Sequence, residues 1–408
     1  MPIDFKLPSD VEEVRLRVRK FMDDEVRPVQ EKLQSADADR GRYVEEIVKL
    51  RKKARDAGLW NPHLPREWEG MGLGPTAMAF VSAEAARTGG IGPYILNAQA
   101  PDEGNMHTLH AWATPDQAEK YLRPLAEGRS RSCFAMTEPE VSGSDPTLIQ
   151  THAVKDGDDW VINGHKWFIS GARGASFAIL IACTNPDADP PQARNSAFLV
   201  DLPADGWEIV RDIETMAGRG NHCEIRITDL RVPAGNMLGG EGEGHKLGQA
   251  RLGPARLAHC MRWIGQAEVA LEMLVDRATT RFAHGSLLVD KQAIQWMIAD
   301  SAMELYAAKL MVLHAAYKIE AKIEFRQEVS FAKHHVANTL WRIVDRAIQV
   351  HGALGYSTDT PLADMMKNAR SARLVDGADE VHQQTIARNV IAAYKKDHST
   401  RMATGDLL

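Results

Sequence analysis

The sequence predicts an α+β chain, mainly α, in which a middle stretch of short strands separates two helical parts. Three patterns carry this expectation. Apolar residues recur at helical spacing in the first third, short runs rich in β-branched and aromatic residues follow from about residue 133 to 238, and the helical period then returns. The chain has 408 residues, 44% of them hydrophobic, enough apolar material for two or three domains.

The first helix is read from Val11, Val14, Val18, Phe21, Met22 and Val26, with Ser9 and Glu12 spaced as a capping box and Pro28 as its end. Further helices are expected over 43–57, 77–87 and 115–121, with turns at 61–62, 70–75 and 89–93 between them. In the middle, Trp160-Val161-Ile162 and 165–169 flank Asn163-Gly164, a dipeptide that supplies the positive φ values of a tight hairpin turn. Strands follow at 177–183, 196–202, 207–210 and 222–227. Beyond them Leu257, Met261, Ile264, Leu271, Leu274 and Ala278 form one apolar stripe, and helices over 291–321, 329–350 and 379–395 are expected to pack as an antiparallel bundle. A shorter helix starts near Pro361, with Thr360 as its cap and proline suited to its first turn. There is no internal repeat and no low-complexity tract.

Composition excludes several classes. A formal net charge of -6 and the absence of a long Lys/Arg block argue against a nonspecific nucleic-acid binder, whose affinity rests on neutralising phosphates. Cys133, Cys183, Cys223 and Cys260 lie far apart without a CxxC pair, so neither a zinc site nor a disulfide framework is expected. His334 and His335 are adjacent and diverge around a helix, which speaks against a metal pair. No apolar run approaches membrane-spanning length and the N-terminus enters a charged helix almost at once, so a cytoplasmic protein without a signal peptide is expected. GEGEG at 240–244 lacks a surrounding βαβ unit and carries two acids, so it reads as a flexible entry to the last helices rather than a phosphate loop.

Two segments stand out for chemistry. FAMTEPEVSGSD at 134–145 is rich in hydroxyls, small residues and backbone donors, which suit phosphate and heterocycle oxygens and nitrogens. WVINGHKWFIS at 160–170 places Trp167, Phe168 and Ser170 on a strand, where aromatic bulk and a hydroxyl meet one planar ring. Together they read as a flavin clasp; ordinary strand core is the alternative.

TEPEVSGSD followed by VINGHKWFIS is similar to the FAD-binding signature of the acyl-CoA dehydrogenase superfamily, and matching segments run from near Ser9 to about Arg388. QAPDEGNM at 99–106, GPARLAHCMRWIG at 253–265 and VDGADEVH at 375–382 resemble the branch whose animal members carry a fused kinase-like domain, for which this chain leaves no room. The resemblance implies an N-terminal helical domain over 1–131, a middle β-barrel over 132–240 and a C-terminal four-helix bundle over 241–408, enclosing FAD and an acyl thioester. It also implies a homotetramer or homodimer. The loop between Glu138 and Ser144 is one residue longer than the commonest superfamily pattern.

The activity implied is α,β-dehydrogenation of an acyl-CoA to a trans-2-enoyl-CoA, with electrons leaving through an electron-transfer flavoprotein. By resemblance the catalytic base falls on Asp376, where most members have glutamate; its other reading is a cap for the helix near Ala378. The alternative base position of some relatives falls on Ala255, which cannot serve. The Asp376 N–H would hold the thioester oxygen, and Gly377 would let the backbone turn beside the ring. Phe134, Met136, Thr137, Gly143, Ser144, Phe168, Ile169, Ser170, Ala378 and Glu380 match positions around FAD. Arg281 matches an arginine on the FAD pyrophosphate of a neighbouring subunit, with Gln292, Gln349 and Gly352 in the same contact. Ser144, Gln99, Asp102, Arg256 and Gly377 match substrate positions. Were Gln99, Asp102 and Asn105 to face inward, a 4-hydroxy or 4-phospho acyl chain is implied; surface exposure of all three is the other reading. His284 and His351 could tune the flavin or make ordinary polar contacts. Two other readings stand beside these. One is a nitroalkane-oxidase-like flavin oxidase, which shares an aspartate base. The other is a flavin-containing DNA-binding protein using Lys333, Arg342, Arg346, Lys367, Arg370 and Arg373.

Overall fold

The structure, a computed structural model, describes residues 7–33 and 40–404. Its first helix, Ser9–Phe21, is preceded by Pro8 as N-cap and has no side-chain cap; Glu12 pairs with Arg15 instead of closing a capping box with Ser9. Nor does Pro28 end the helix. The chain widens into a π-helical turn, Met22–Val26, whose Met22 carbonyl is reached by the N–H of Arg27, and helix resumes over Arg27–Leu33. Pro28 then follows directly on that widened turn inside a continuous helical run, where the shift in hydrogen-bond pattern accommodates its missing N–H.

The chain forms two compact units, one of Met1–His63, Met71–Ala98 and Arg256–Leu408, the other of Leu64–Gly70 and Gln99–Ala255. The three-part division expected from the sequence differs from this because the early helices share a core with the late ones. Val18, Leu50, Val81, Leu257, Leu274, Val312, Leu340 and Leu362 belong to that single cluster. Its late members lie on the helices Gly244–Thr280, Gln292–Glu320, Arg326–His351 and Leu362–Ala372, and Asp379–Asp397 follows. Thr360 does not cap Leu362–Ala372: Pro361 is the N-cap and the Thr360 hydroxyl is buried without a partner.

Within this unit Gly265 marks a backbone contact between helices. A Cβ built there would lie 2.0 Å from the Ala83 carbonyl oxygen of the helix Pro75–Ala86. Gly265→Ala is therefore expected to cost ~1–3 kcal/mol through overpacking, seen as a lower Tm in thermal unfolding. An unchanged Tm would mean that the two helices have slack to separate.

The second unit is built on strands β1 (Ser132–Ala135), β2 (His152–Asp156), β3 (Asp159–Ser170), β4 (Phe177–Cys183), β5 (Asn195–Asp201), β6 (Trp207–Thr215), β7 (Gly218–Pro233) and β8 (Met237–Leu238). They form one sheet in the order β6-β7-β3-β2-β4-β5-β8, with β1 parallel to β4. Strand β4 is buried on both faces, which explains its unbroken apolar run. Ala178, Leu180 and Ala182 enter one core; Phe177, Ile179 and Ile181 meet Met106, Leu109, Tyr121 and Leu125 in the other.

Asn163-Gly164 is not a hairpin turn. Strand β3 runs straight through it, and its ladder to β7 slips register between Ile162 and Gly164. The Asn163 side chain donates to Asp229 Oδ1 and accepts from the Asp229 N–H, pinning the irregularity across the pair. Gly164 is needed for close approach: a Cβ there would sit 2.2 Å from Thr151 Oγ1. The tight turn lies earlier, at Gly157-Asp158, where Asp156 faces Asp159 and Gly157 has φ 63. A glycine at the first central position suits that turn.

Candidate active site

On the sheet unit, β3 carries a second irregularity, between Lys166 and Ile169, and Phe168 sits in it with φ 53. An aromatic residue with a left-handed backbone is a genuine outlier. Here it turns the Phe168 ring outward, 45% exposed, while Ile169 is buried in the core and can offer only its main chain outward. Trp167 meets the Phe168 ring edge-on at 5.1 Å, and the His222 ring lies 6.0 Å away. Ser170 Oγ shares a 2.8 Å hydrogen bond with His222 Nδ1, and burial holds that imidazole below its ordinary range, so it is neutral near pH 7.

The preceding loop is tied to this strand. The Thr137 hydroxyl donates to Trp167 O at 2.7 Å, and the Trp167 N–H donates back to Thr137 O at 3.1 Å. Ser142, Gly143 and Ser144 are exposed, and a Cβ at Gly143 would come within 3.2 Å of Thr137 Cγ2. Phe134 and Met136 are half-buried, with the Arg251 guanidinium 4.2 Å from the Phe134 ring centre. An outward aromatic face bordered by hydroxyls and an exposed Ser-Gly-Ser loop fits a flat heterocycle with polar edges.

Sequence reasoning missed the anchor beneath. Lys166 is fully buried and donates to Met136 O at 2.9 Å and to Glu138 Oε1 at 2.8 Å. Glu138 also accepts from the N–H groups of Gln150 and Thr151. Burial pulls the Lys166 ammonium down to about 8 against the pull of Glu138. For Glu138 burial acts upward, but the Lys166 charge and hydrogen bonds outweigh it and hold the carboxyl below its ordinary range. The signal was a lysine set directly before Trp167-Phe168-Ile169, on a strand whose neighbouring even positions Trp160 and Ile162 are apolar.

In the same unit Asp102 and Asn105 are buried, which sets aside the reading that they lie on the surface. Asp102 accepts from Ser132 N and Oγ at 2.9 and 2.6 Å and pairs with Arg131 at 2.6 Å. Asn105 donates to Ser132 Oγ and accepts from Arg251 Nε. Both serve the packing of the helix Asp102–Trp112 on β1, so they lend no support to a 4-hydroxy or 4-phospho chain. Gln99 differs: its Oε1 is buried without a hydrogen-bond partner.

On the helical unit, Asp376 and Gly377 have φ 52 and 105, a tight loop ahead of the helix Asp379–Asp397. Asp376 does not cap that helix: Ala378 is the N-cap, without a side-chain hydrogen bond, and Glu380 lies exposed in the first turn. Two cations hold the loop's carbonyls. Arg256 Nε donates to Asp376 O at 2.6 Å and Lys333 Nζ donates to Gly377 O at 2.6 Å. Burial lowers both cations from their ordinary values, partly offset for Arg256 by Asp376. A Cβ at Gly377 would lie 2.8 Å from His382 Nε2, so glycine is required there for space as well as conformation. The Asp376 carboxylate, with its side chain 24% exposed, has His259 Nε2 3.3 Å from Oδ2.

His382 is 3% exposed, and burial, with help from Lys333 and Arg256, pushes it down to about 4. The unfolded chain takes up this proton near pH 6.5 and the folded one does not until about 4, so stability is lost as pH falls through that window, by roughly 3 kcal/mol at its acid end. His382→Gln is expected to flatten the decline of Tm between pH 7 and 4.5. An identical slope in the variant would remove His382 as its source.

Arg281, Gln292, Gln349 and Gly352 are all exposed on this unit, as is His284, while His351 Nδ1 donates to Ala347 O at 2.8 Å. Five of the six basic residues of the DNA-binding reading are engaged within the protein, and the sixth, Arg370, has Nη1 buried without a hydrogen-bond partner. Lys333 is fully buried, Arg342 and Arg346 share Glu304, Lys367 pairs with Asp364, and Arg373 pairs with Asp379. Among the described residues no group of three or more His, Cys, Asp or Glu could hold a metal, and no helix is long and apolar enough to cross a membrane.

An outward aromatic and hydroxyl surface on a sheet and a carboxylate on a cation-held glycine loop are the equipment of a flavin-dependent oxidoreductase. The sequence matches the acyl-CoA dehydrogenase N-terminal domain over 8–129, the middle domain over 133–230 and the C-terminal domain over 242–391. It is 43% identical to a probable acyl-CoA dehydrogenase, FadE2, of Mycobacterium tuberculosis, across 86% of each chain. It is 37% identical to acyl-CoA dehydrogenase family member 11 of Gallus gallus, covering 92% of this chain but 50% of that protein, so it spans about half the length of this animal relative. A solved putative acyl-CoA dehydrogenase from Mycobacterium abscessus superposes with a TM-score of 0.89 at 38% identity, over 96% of this chain and 100% of that one. The chain belongs to the acyl-CoA dehydrogenase family, FAD-dependent oxidoreductases acting on CH–CH bonds.

Proposed function

We propose that the chain dehydrogenates an acyl-CoA thioester to the trans-2-enoyl-CoA, with Asp376 as the base that takes the α proton. The observation that carries this reading is the Asp376 loop, whose carboxylate is left off helix capping while Arg256 and Lys333 fix the main chain on either side. When bound, FAD supplies the acceptor for the β hydride. Asp376 takes the α proton, and the two cations keep the loop from swinging as the carboxylate loses its charge. Phe134, Met136, Thr137, Gly143, Ser144, Phe168, Ser170 and the Ile169 main chain are the residues we assign to the flavin, and Gln99, Arg256 and Gly377 those we assign to substrate.

Electrons would leave through an electron-transfer flavoprotein, and the protein would work in the cytoplasm as a homotetramer or homodimer. Exposed Trp296, Met303 and Tyr306 on one face of Gln292–Glu320 support assembly of copies, as does the exposure of Arg281, Gln292, Gln349 and Gly352, assigned to the FAD of a neighbouring subunit. Arg281→Ala is expected to weaken FAD retention or assembly. Unaltered flavin content and sedimentation in that variant would place Arg281 outside the contact.

The test is an anaerobic titration of the purified holoenzyme with straight, branched, 4-hydroxy and 4-phospho acyl-CoAs, following flavin absorbance. Bleaching by one class establishes the reaction and names the substrate. Flavin indifferent to all of them, with rapid reoxidation in air after chemical reduction, would overturn the proposal in favour of an oxidase.

A further inference from the structure

We infer that His259 is a positioning residue for Asp376: its imidazole holds the carboxylate in the orientation from which it takes a proton. The inference rests on Asp376 being the base, as proposed above. His259 lies on the helix Gly244–Thr280, with Nε2 3.3 Å from Asp376 Oδ2 and its side chain 20% exposed. Its ring is stacked on Trp263, at 5.4 Å between centroids and 23° between planes, and Trp263 is itself buried. The imidazole is thus held from behind, with one nitrogen presented to the carboxylate.

The division of labour is clear from the contacts. Arg256 and Lys333 act on the main-chain oxygens of Asp376 and Gly377, whereas His259 is the group beside a carboxylate oxygen. Aspartate is one methylene shorter than glutamate, so its reach depends more on how the side chain is turned. With Nε2 3.3 Å from Oδ2, the imidazole is close enough to set how that carboxylate is turned.

The other ionisable groups around the loop are directed elsewhere or already fixed. From Arg326–His351, Lys333 takes the Gly377 carbonyl and His334 faces Asp379, with Nδ1 3.5 Å from Oδ1. Arg373 pairs with Asp379 at 2.7 Å, and His382 of Asp379–Asp397 is buried.

The experiment is anaerobic stopped-flow reduction of the holoenzyme by whichever acyl-CoA bleaches it, from pH 5.5 to 9, for the wild type, His259→Ala, His259→Gln and Asp376→Asn, with rates expressed per bound flavin. His259→Ala is expected to lower the limiting rate between roughly 10- and 100-fold. His259→Gln should recover most of that loss, since an amide can orient the carboxylate in place of the imidazole. A wild-type rate and pH profile in His259→Ala, beside an inactive Asp376→Asn, would overturn the role of His259 and leave the base intact. An active Asp376→Asn would overturn the base assignment itself.

Discussion

Asp376→Asn is expected to retain its bound FAD and lose roughly 10²- to 10⁴-fold in the rate at which an acyl-CoA reduces it, the usual worth of a positioned general base. The amide cannot accept the α proton, yet little else about the loop changes. Residue 376 has φ 52, and asparagine tolerates the left-handed region at least as well as aspartate. The grips of Arg256 and Lys333 fall on main-chain oxygens that the substitution leaves in place. The measurement is anaerobic stopped-flow absorbance at saturating substrate. A variant that bleaches at the wild-type rate would remove Asp376 from the chemistry.

The second large effect belongs to the buried pair beneath the surface proposed for the flavin. Lys166→Met leaves Glu138, 2% exposed, without its cation. Removing one partner of a buried ion pair costs ~3–5 kcal/mol, because the remaining charge stays desolvated. The N–H groups of Gln150 and Thr151 still reach Glu138, which places the loss toward the lower end. Thermal unfolding should show a fall of about 10 °C for a unit of this size. Flavin retention should fall with it, because Lys166 also ties the Met136 carbonyl, next to Thr137. The double variant Glu138→Gln, Lys166→Met, which replaces charge by neutral groups, should recover much of the difference. A single variant melting within two or three degrees of wild type would show that the pair is dispensable.

The helical parts were legible because burial along a helix leaves a periodic trace: Leu257, Met261, Ile264 and Leu274 were all found in the core. The segments proposed for the flavin stood out because their residue types are unusual for a strand and a loop. What could not be seen was pairing across distance. Asn163-Gly164 looks like a hairpin turn until β7 is laid beside it, whereupon the asparagine pairs with Asp229 and the glycine admits Thr151. Asp102 and Asn105 announced polarity, but not that Arg131, Ser132 and Arg251 would take it up. The unit boundaries were hidden because Val18 and Leu340 share a core although most of the chain lies between them. His259 carried no local sign at all, since its meaning lies in Asp376 and Trp263 around it.

Phe168 bears on how this protein can change. Its backbone conformation suits glycine or asparagine and strains an aromatic residue by ~1–2 kcal/mol. Nearly half of its surface faces outward, so the fold gains only part of what a buried ring would return. A library sorted for thermal resistance alone would drift toward Gly or Asn at this position and discard the ring that borders Ser170 and His222. On the proposed assignment of Phe168 to the flavin, heat tolerance and cofactor retention pull in opposite directions at this one residue.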